Sequence, residues 1–322
     1  MRAITYRDYG PPDVLELREI EVPEVGDDEV LIRVRATSVN PFDWHFMRGM
    51  PYFIRLQSGL RRPKETRLGA DVAGTVDAAG RNVTGFRAGD HVFGHAAGAF
   101  AEYVIARPKS LAHKPEGVSF EEAATLNIAG LTALQGLRDK GGLQAGHRVL
   151  VNGASGGVGT FAVQIAAGMG AEVTGVCSTG NLELVRSLGA AHTVDYTRDD
   201  FAASDRRYDV ILDTVATRPP SACRRILTPE GTYVAVGSLS MGNWIGPLTF
   251  LAGVRLAGIF RTQTLTSMLA ALTAEDLGIL GDMVTSGSVK PVIERVYPLE
   301  DTAAAVAHVE AGHTRGKVVI AP

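Results

Sequence analysis

The stretch RVLVNGASGGVGTFAVQIAAGMGAEVTGVC, Arg148 to Cys177, constrains this chain more than any other. An apolar run rich in β-branched residues ends in a glycine-dense turn, a small-residue helix follows, and a second apolar run comes after it. That order is strand, tight turn, helix, strand, the unit that binds dinucleotides. Ala154, Gly156 and Gly159 occupy the three small-residue places of G-x-G-x-x-G, with Ala at the first. The first allows the tight turn, Gly156 lets the backbone approach a pyrophosphate, and Gly159 lets the helix pack on the strand. The helix N-terminus offers N–H groups and a partial positive charge to phosphates. Ala154, Ser155, Gly156, Gly157 and Val158 are therefore expected to bind cofactor; a purely structural glycine turn is the alternative.

The end of the second strand selects the nucleotide. An NAD-binding unit carries Asp or Glu about 20 residues on, where it accepts from the ribose hydroxyls. Here Cys177 is followed by Ser178, Thr179, Gly180 and Asn181, with no carboxylate to repel a 2′-phosphate. Ser178 and Thr179 are expected to donate hydroxyl hydrogen bonds to that phosphate, so the expected cofactor is NADPH (NADP+). No Arg or Lys adjoins them, and Arg186, the nearest cation, reads as a solvated helix residue.

Composition narrows the class. With 322 residues the chain is longer than one core usually supports, so two domains are expected. Its 45% hydrophobic and 21% charged residues are those of a globular protein, and a net charge of −3 without any basic block argues against nucleic acid. The start MRAITY is strand-like rather than an apolar leader, and no run has membrane-spanning length, so a cytoplasmic protein with no membrane partner is expected. The two cysteines, Cys177 and Cys223, are too few for a disulfide framework.

Residues 1 to about 115 read as short alternating strands: RAITYRDYG, VLELREIEVP, EVLIRVRATSV, AGTVDAAG, GDHVFGH and AFAEYVIA. Gly, Pro and Asp between them suggest a small antiparallel barrel. Ser119 opens a helix over FEEAATLNIAGLTALQGLRDKG, and strands follow at 148–152, 172–177, 192–196, 208–215 and 231–237. Intervening helices make that sheet parallel, with VRLAGIF near 254–260 as a candidate sixth strand. TSMLAALTAEDLGILGDMVTSG reads as helix, and VKPVIERVYP and GKVVIAP return to strand. The class is α/β, with a nucleotide domain at 119–265 inserted between two parts, 1–118 and 266–322, of a β-rich domain.

Several ordered motifs give the chain a resemblance that runs from end to end. They are GPPDVLEL, VNPFDW at 39–44, GADVAGTV at 69–76, GDHVFG at 89–94, AGLTALQGL at 129–137, VLVNGASGGVG at 149–159, RSLGAAHTVDY at 186–196 and TRGKVVI. In these the sequence resembles the zinc-independent medium-chain dehydrogenase/reductases, the quinone-reductase branch that includes zeta-crystallin. The resemblance implies a GroES-like β-barrel catalytic domain, a Rossmann domain with a doubly wound parallel sheet, and nicotinamide in the cleft between them. It implies NADPH-dependent reduction of quinones or other α,β-unsaturated carbonyls, and a homodimer. Where the zinc-dependent branch has its ligands, this chain has Asn40 in place of Cys and Ala70–Asp71 in place of His and Glu. No cysteine precedes Cys177, so no metal site is expected.

By the same resemblance Asn40 bonds the cofactor or the substrate carbonyl, although a turn residue before Pro41 reads the same. Thr132 contacts the nicotinamide end or is an ordinary helical Thr, and Tyr196 meets the adenosine 2′-phosphate or packs at a strand end. Asp43, in the same motif as Asn40, reads as catalytic or, at least equally, as a salt-bridge partner or loop cap. Val215 and the pair Gly237–Ser238 end further parallel strands, where loops reach a cofactor. Arg315 and Lys317 neutralise cofactor phosphate or are solvated charges. Tyr52 and His45 are candidates for the substrate pocket within segment 44–64; His91 and His95 read as solvated or structural. Two other readings stay open. An enoyl-thioester reductase would use Arg61, Arg62 and Lys64 against acidic phosphopantetheine. A catalytically weak NADPH-binding protein would serve a structural, sensing or RNA-binding role.

Overall fold

The computed structural model describes residues 1–236 and 262–322. Fifteen strands lie among them. In chain order these are β1 (Arg2–Thr5), β2 (Glu16–Glu19), β3 (Val30–Val39), β4 (Asp71–Ala79), β5 (His91–His95), β6 (Tyr103–Ala106) and β7 (Leu111–His113). Then come β8 (Arg148–Asn152), β9 (Glu172–Cys177), β10 (His192–Asp195), β11 (Tyr208–Asp213), β12 (Leu227–Ala235), β13 (Thr264–Ser267), β14 (Ile293–Pro298) and β15 (Lys317–Ala321). The chain forms two compact units. One is Met1–Leu131 with Ala271–Gly287 and Pro291–Pro322; the other is Thr132–Ala270 with Ser288–Lys290.

In the first unit a seven-stranded sheet runs β14-β15-β3-β4-β5-β7, with β6 paired to β3. β3 explains its own place: Val30, Ile32 and Val34 turn into an apolar cluster with Val72, Val76, Val92 and Val104, while Arg33 and Arg35 face outward. That alternation over branched residues is what a half-buried strand requires. Beyond Arg35 every residue of β3 is buried, and this end leads into the helix Pro41–Arg48. Pro at the first helical position suits that entry, since its missing N–H would have no partner there.

In the second unit six parallel strands run β10-β9-β8-β11-β12-β13, the order of a dinucleotide-binding sheet that reverses between β8 and β11. Leu150, Val176, Ile211, Cys223 and Tyr233 pack one face of it. The sixth strand is Thr264–Ser267, after the segment expected to supply it; VRLAGIF lies outside the described residues. Thr266 and Ser267 therefore belong to strand rather than helix. The next helix starts at Ala274, where the Thr273 hydroxyl accepts from the Asp276 N–H. Ser119 caps as expected, accepting from the Glu122 N–H at 3.1 Å while the Glu122 carboxylate accepts from the Ser119 N–H at 3.0 Å.

Candidate active site

The glycine turn sits at the C-terminal end of β8. Gly153, rather than Ala154, makes the tight turn, with φ of +82°. Ala154 is fully buried, and its N–H donates to the Val176 carbonyl at 2.9 Å, so it offers a ligand neither side chain nor N–H. Gly156 precedes the helix Gly157–Gly168, and a Cβ there would meet only the Gly153 carbonyl, at 3.4 Å. At Gly159 a Cβ would lie 2.0 Å from that same oxygen, so the helix can start here only without a side chain. The first-turn N–H groups of Gly157, Val158 and Gly159 have no intrahelical acceptor and form a cradle for an anion.

Beside the turn, at the end of β9, Asn181 Nδ2 donates to Ser155 Oγ at 3.1 Å and to Ser178 Oγ at 3.2 Å. Asn181 is 9% exposed and its Oδ1 is buried without a hydrogen-bond partner. The sequence finds no carboxylate after β9, but the fold brings one from the neighbouring strand. Asp195 ends β10, is 7% exposed, and accepts from Thr179 Oγ1 at 2.5 Å. Thr197 Oγ1 and the Thr197 N–H also donate to it, at 2.7 and 3.0 Å. The Thr179 hydroxyl holds this carboxyl below the usual range. Tyr196, next in the chain, is 54% exposed.

At the sheet's reversal point Asp213 ends β11, fully buried. Its Oδ1 accepts from Asn152 Nδ2 at 2.8 Å and from the Val215 and Ala216 N–H groups at 3.1 and 2.8 Å. Its Oδ2 accepts from Tyr233 Oη at 2.9 Å. These bonds shape a turn in which Ala216 has φ of +57° and Val215 is left 40% exposed at the strand ends. Gly237 and Ser238 lie outside the described residues.

The first unit carries a second polar cluster. Asp71, at the start of β4, is fully buried and accepts from Asn127 Nδ2 at 2.9 Å, the Ile128 N–H at 3.1 Å, Asn40 Nδ2 at 2.8 Å and Ser38 Oγ. Lys317, expected as a cofactor-phosphate or solvated charge, is 4% exposed and turned into this cluster. Its Nζ donates to Asn40 Oδ1 at 2.6 Å and to the Val39 carbonyl at 3.2 Å, and lies 3.5 Å from Asp71 Oδ2. Burial lowers the Lys317 pKa, and Asp71 and Asp43 oppose that shift.

Asn40 is thus spoken for. Both its Nδ2 hydrogens are engaged, on Asp71 and on the Ser38 carbonyl at 3.2 Å, and the expected donation to a substrate carbonyl has no free hydrogen. Asp43 accepts from the Asn40 N–H at 2.8 Å and the Gly69 N–H at 3.1 Å, a loop cap rather than a salt bridge; burial pushes its carboxyl up to about 7. His95, paired with Asp71 across β4 and β5, has a buried Nδ1 with no partner, and burial lowers its pKa.

The remaining expected residues are spread over both units. His45 is 5% exposed, with Nδ1 at 2.9 Å from the Met50 carbonyl, which accepts only, so Nδ1 carries the proton. Burial lowers its pKa as well. Tyr52 lies under the Arg55 guanidinium at 4.9 Å, and Thr132 is buried in the helical run Leu131–Gln135. Arg315 is exposed, and its N–H donates to Glu294. Arg62 pairs with Asp8 at 3.1 Å, and Arg61 and Lys64 are exposed.

Residues 26–116 match the alcohol dehydrogenase GroES-like domain, and residues 188–320 match a zinc-binding dehydrogenase domain. The chain is 34% identical over 336 residues to the chloroplast envelope quinone oxidoreductase homolog of Arabidopsis thaliana, covering 100% of this chain and 98% of that one. It is 35% identical over 337 residues to 2-methylene-furan-3-one reductase of Solanum lycopersicum, covering 100% of this chain and 79% of that protein. The structure of the quinone oxidoreductase from Coxiella burnetii matches with a TM-score of 0.89 at 31% identity, covering 100% of this chain and 99% of that one. The chain belongs to the medium-chain dehydrogenase/reductase family and, within it, to the quinone oxidoreductase branch. It is an oxidoreductase of that kind, working with a pyridine nucleotide.

Zinc does not fit the residues present. Catalytic zinc takes Cys and His ligands. Here the corresponding donors are an amide and a carboxylate already bonded to an ammonium, and both cysteines are buried in the second unit. Among the described residues no group of three or more His, Cys, Asp or Glu could hold a metal, and no helix is long and apolar enough to cross a membrane.

Proposed function

We propose that this enzyme transfers hydride from NADPH to a quinone or another α,β-unsaturated carbonyl without a metal. The observation that carries the reading is the glycine turn at the reversal point of a parallel sheet ordered β10-β9-β8-β11-β12-β13. The reduced nicotinamide supplies the hydride. The chain's own part is to bind and orient. The N–H groups at Gly157–Gly159 and the hydroxyls of Ser155 and Ser178 hold phosphate. Asp213 fixes the turn that leaves Val215 exposed.

Such acceptors need little acid help, because the anion left by hydride addition is delocalised and takes its proton from water; positioning supplies much of the rate. In the first unit the buried Asp71 carboxyl and the Lys317 ammonium lie 3.5 Å apart and are engaged with each other. The name of the tomato relative, a methylene-furanone reductase, describes an acceptor of this electron-poor type. The test is oxidation of NADPH by a small naphthoquinone and by an enone, each against crotonyl-CoA. Turnover with the first two alone supports the reading. Turnover with the thioester alone moves the substrate class to enoyl thioesters, and binding without turnover on any of them defeats the reductase reading.

A further inference from the structure

We propose that Asp195 sets the cofactor preference of this enzyme by turning Thr179 into an acceptor, so that NADH is used beside NADPH. The inference rests on the nucleotide-binding reading above and sharpens it. An ionised carboxylate carries no hydrogen, so the hydrogens in its contacts with Thr179 Oγ1 at 2.5 Å and Thr197 Oγ1 at 2.7 Å come from the threonines. Thr179 is exposed at the end of β9, where this sheet order reads the ribose. With its hydrogen committed inward, it presents lone pairs outward. Lone pairs accept from a ribose 2′-hydroxyl and oppose the oxygens of a 2′-phosphate. Asp195 is thus a positioning residue that acts through Thr179, and it supplies, from β10, the carboxylate that the residues after β9 lack.

Two further observations keep the phosphate-bearing nucleotide within reach. Asn181 Nδ2 donates to Ser155 Oγ and Ser178 Oγ, which leaves both serine hydrogens available to phosphate oxygens. Arg198 lies 3.6 Å from Asp195 Oδ2 with its side chain 73% exposed, so one cation stands beside the one buried anion. Of the other charges nearby, Arg186 donates to Thr193 Oγ1 and Asp200 pairs with Arg218, while Asp199 is exposed next to Arg198. A site with opposed polarities and near-balanced charge discriminates weakly between the two nucleotides.

The test is equilibrium titration of NADH and NADPH by nucleotide fluorescence, independent of turnover. The wild-type dissociation constants are expected within about tenfold of each other, and Asp195→Asn is expected to shift their ratio toward NADPH by about tenfold, the worth of one charged hydrogen bond. Thr179→Val, which keeps Asp195 and the side-chain shape, should weaken NADH severalfold and leave NADPH unchanged or tighter. Arg198→Ala should weaken NADPH alone. A wild-type preference above about a hundredfold, or an Asp195→Asn ratio equal to wild type, overturns this inference while leaving nucleotide binding intact. If the wild type binds neither nucleotide, the underlying reading fails with it. Unliganded melting curves separate a misfolded Asp195→Asn, and Thr179→Val then decides by the same ratio.

Discussion

Asp71 in the first unit and Asp213 in the second are both fully buried carboxylates, but they are satisfied by opposite means. Asp213 is held by neutral donors alone: an amide, a phenol and two backbone N–H groups from its own turn. Asp71 has neutral donors too, yet beside it lies the ammonium of Lys317, some 246 positions later in the chain. A carboxylate held by its own turn serves local shape. A buried ion pair joins distant pieces of chain and leaves a stranded charge if either member is lost.

The comparison breaks most visibly at Lys317. Lys317→Met should cost about 3–5 kcal/mol in urea unfolding by leaving Asp71 uncompensated. Asp71→Asn with Lys317→Met, which removes the charge and keeps an oxygen for the neutral donors, should recover part of it. A single-variant loss under about 1 kcal/mol would mean that the neutral donors suffice at Asp71 as they do at Asp213. In the second unit Gly159→Ala should cost about 2–3 kcal/mol, because its Cβ would lie 2.0 Å from the Gly153 carbonyl. Gly156→Ala meets only the Gly153 carbonyl at an ordinary contact distance of 3.4 Å, so stability should hold while nucleotide affinity falls by about tenfold in the same fluorescence titration.

A smaller effect sharpens the contrast through pH. Asp43 has a folded pKa raised to about 7, above its unfolded value, so the folded state holds the extra proton between those two values. Its contribution to stability is present below pH of about 4 and is lost as pH rises to about 7, with a slope of at most about 1.4 kcal/mol per pH unit. Asp43→Asn should flatten that part of the stability profile. The smallest change is expected at Tyr233→Phe, which removes one of four donors from Asp213 and should cost about 1 kcal/mol.

The fold was legible because its signals are local. The glycine turn, the alternation of β3 and the Ser119 cap are each read within about a dozen residues, and each is found where the sequence puts it. The site was legible only in part. Asn40 and Lys317 were both singled out, but nothing local says that they touch each other, since the antiparallel pairing of β15 with β3 joins them. The absence of a carboxylate after β9 was read correctly along the chain and was incomplete in space, because the parallel register of β10 on β9 sets Asp195 opposite Cys177. Asp213, Asn152 and Tyr233 were missed, although polar residues ending adjacent buried strands are a usable signal in a sheet of this order. Gly153 was passed over for Ala154 because the fingerprint spacing was matched before the backbone geometry.

The most direct measurement is titration of the purified protein with NADPH and NADH, followed by oxidation of the bound nucleotide with a small quinone at 340 nm, an ordinary assay wavelength for reduced nicotinamide. Saturable binding of both nucleotides at micromolar order, with quinone-dependent loss of absorbance, is the expected result. Failure of both nucleotides to bind would contradict the assignment at the glycine turn itself.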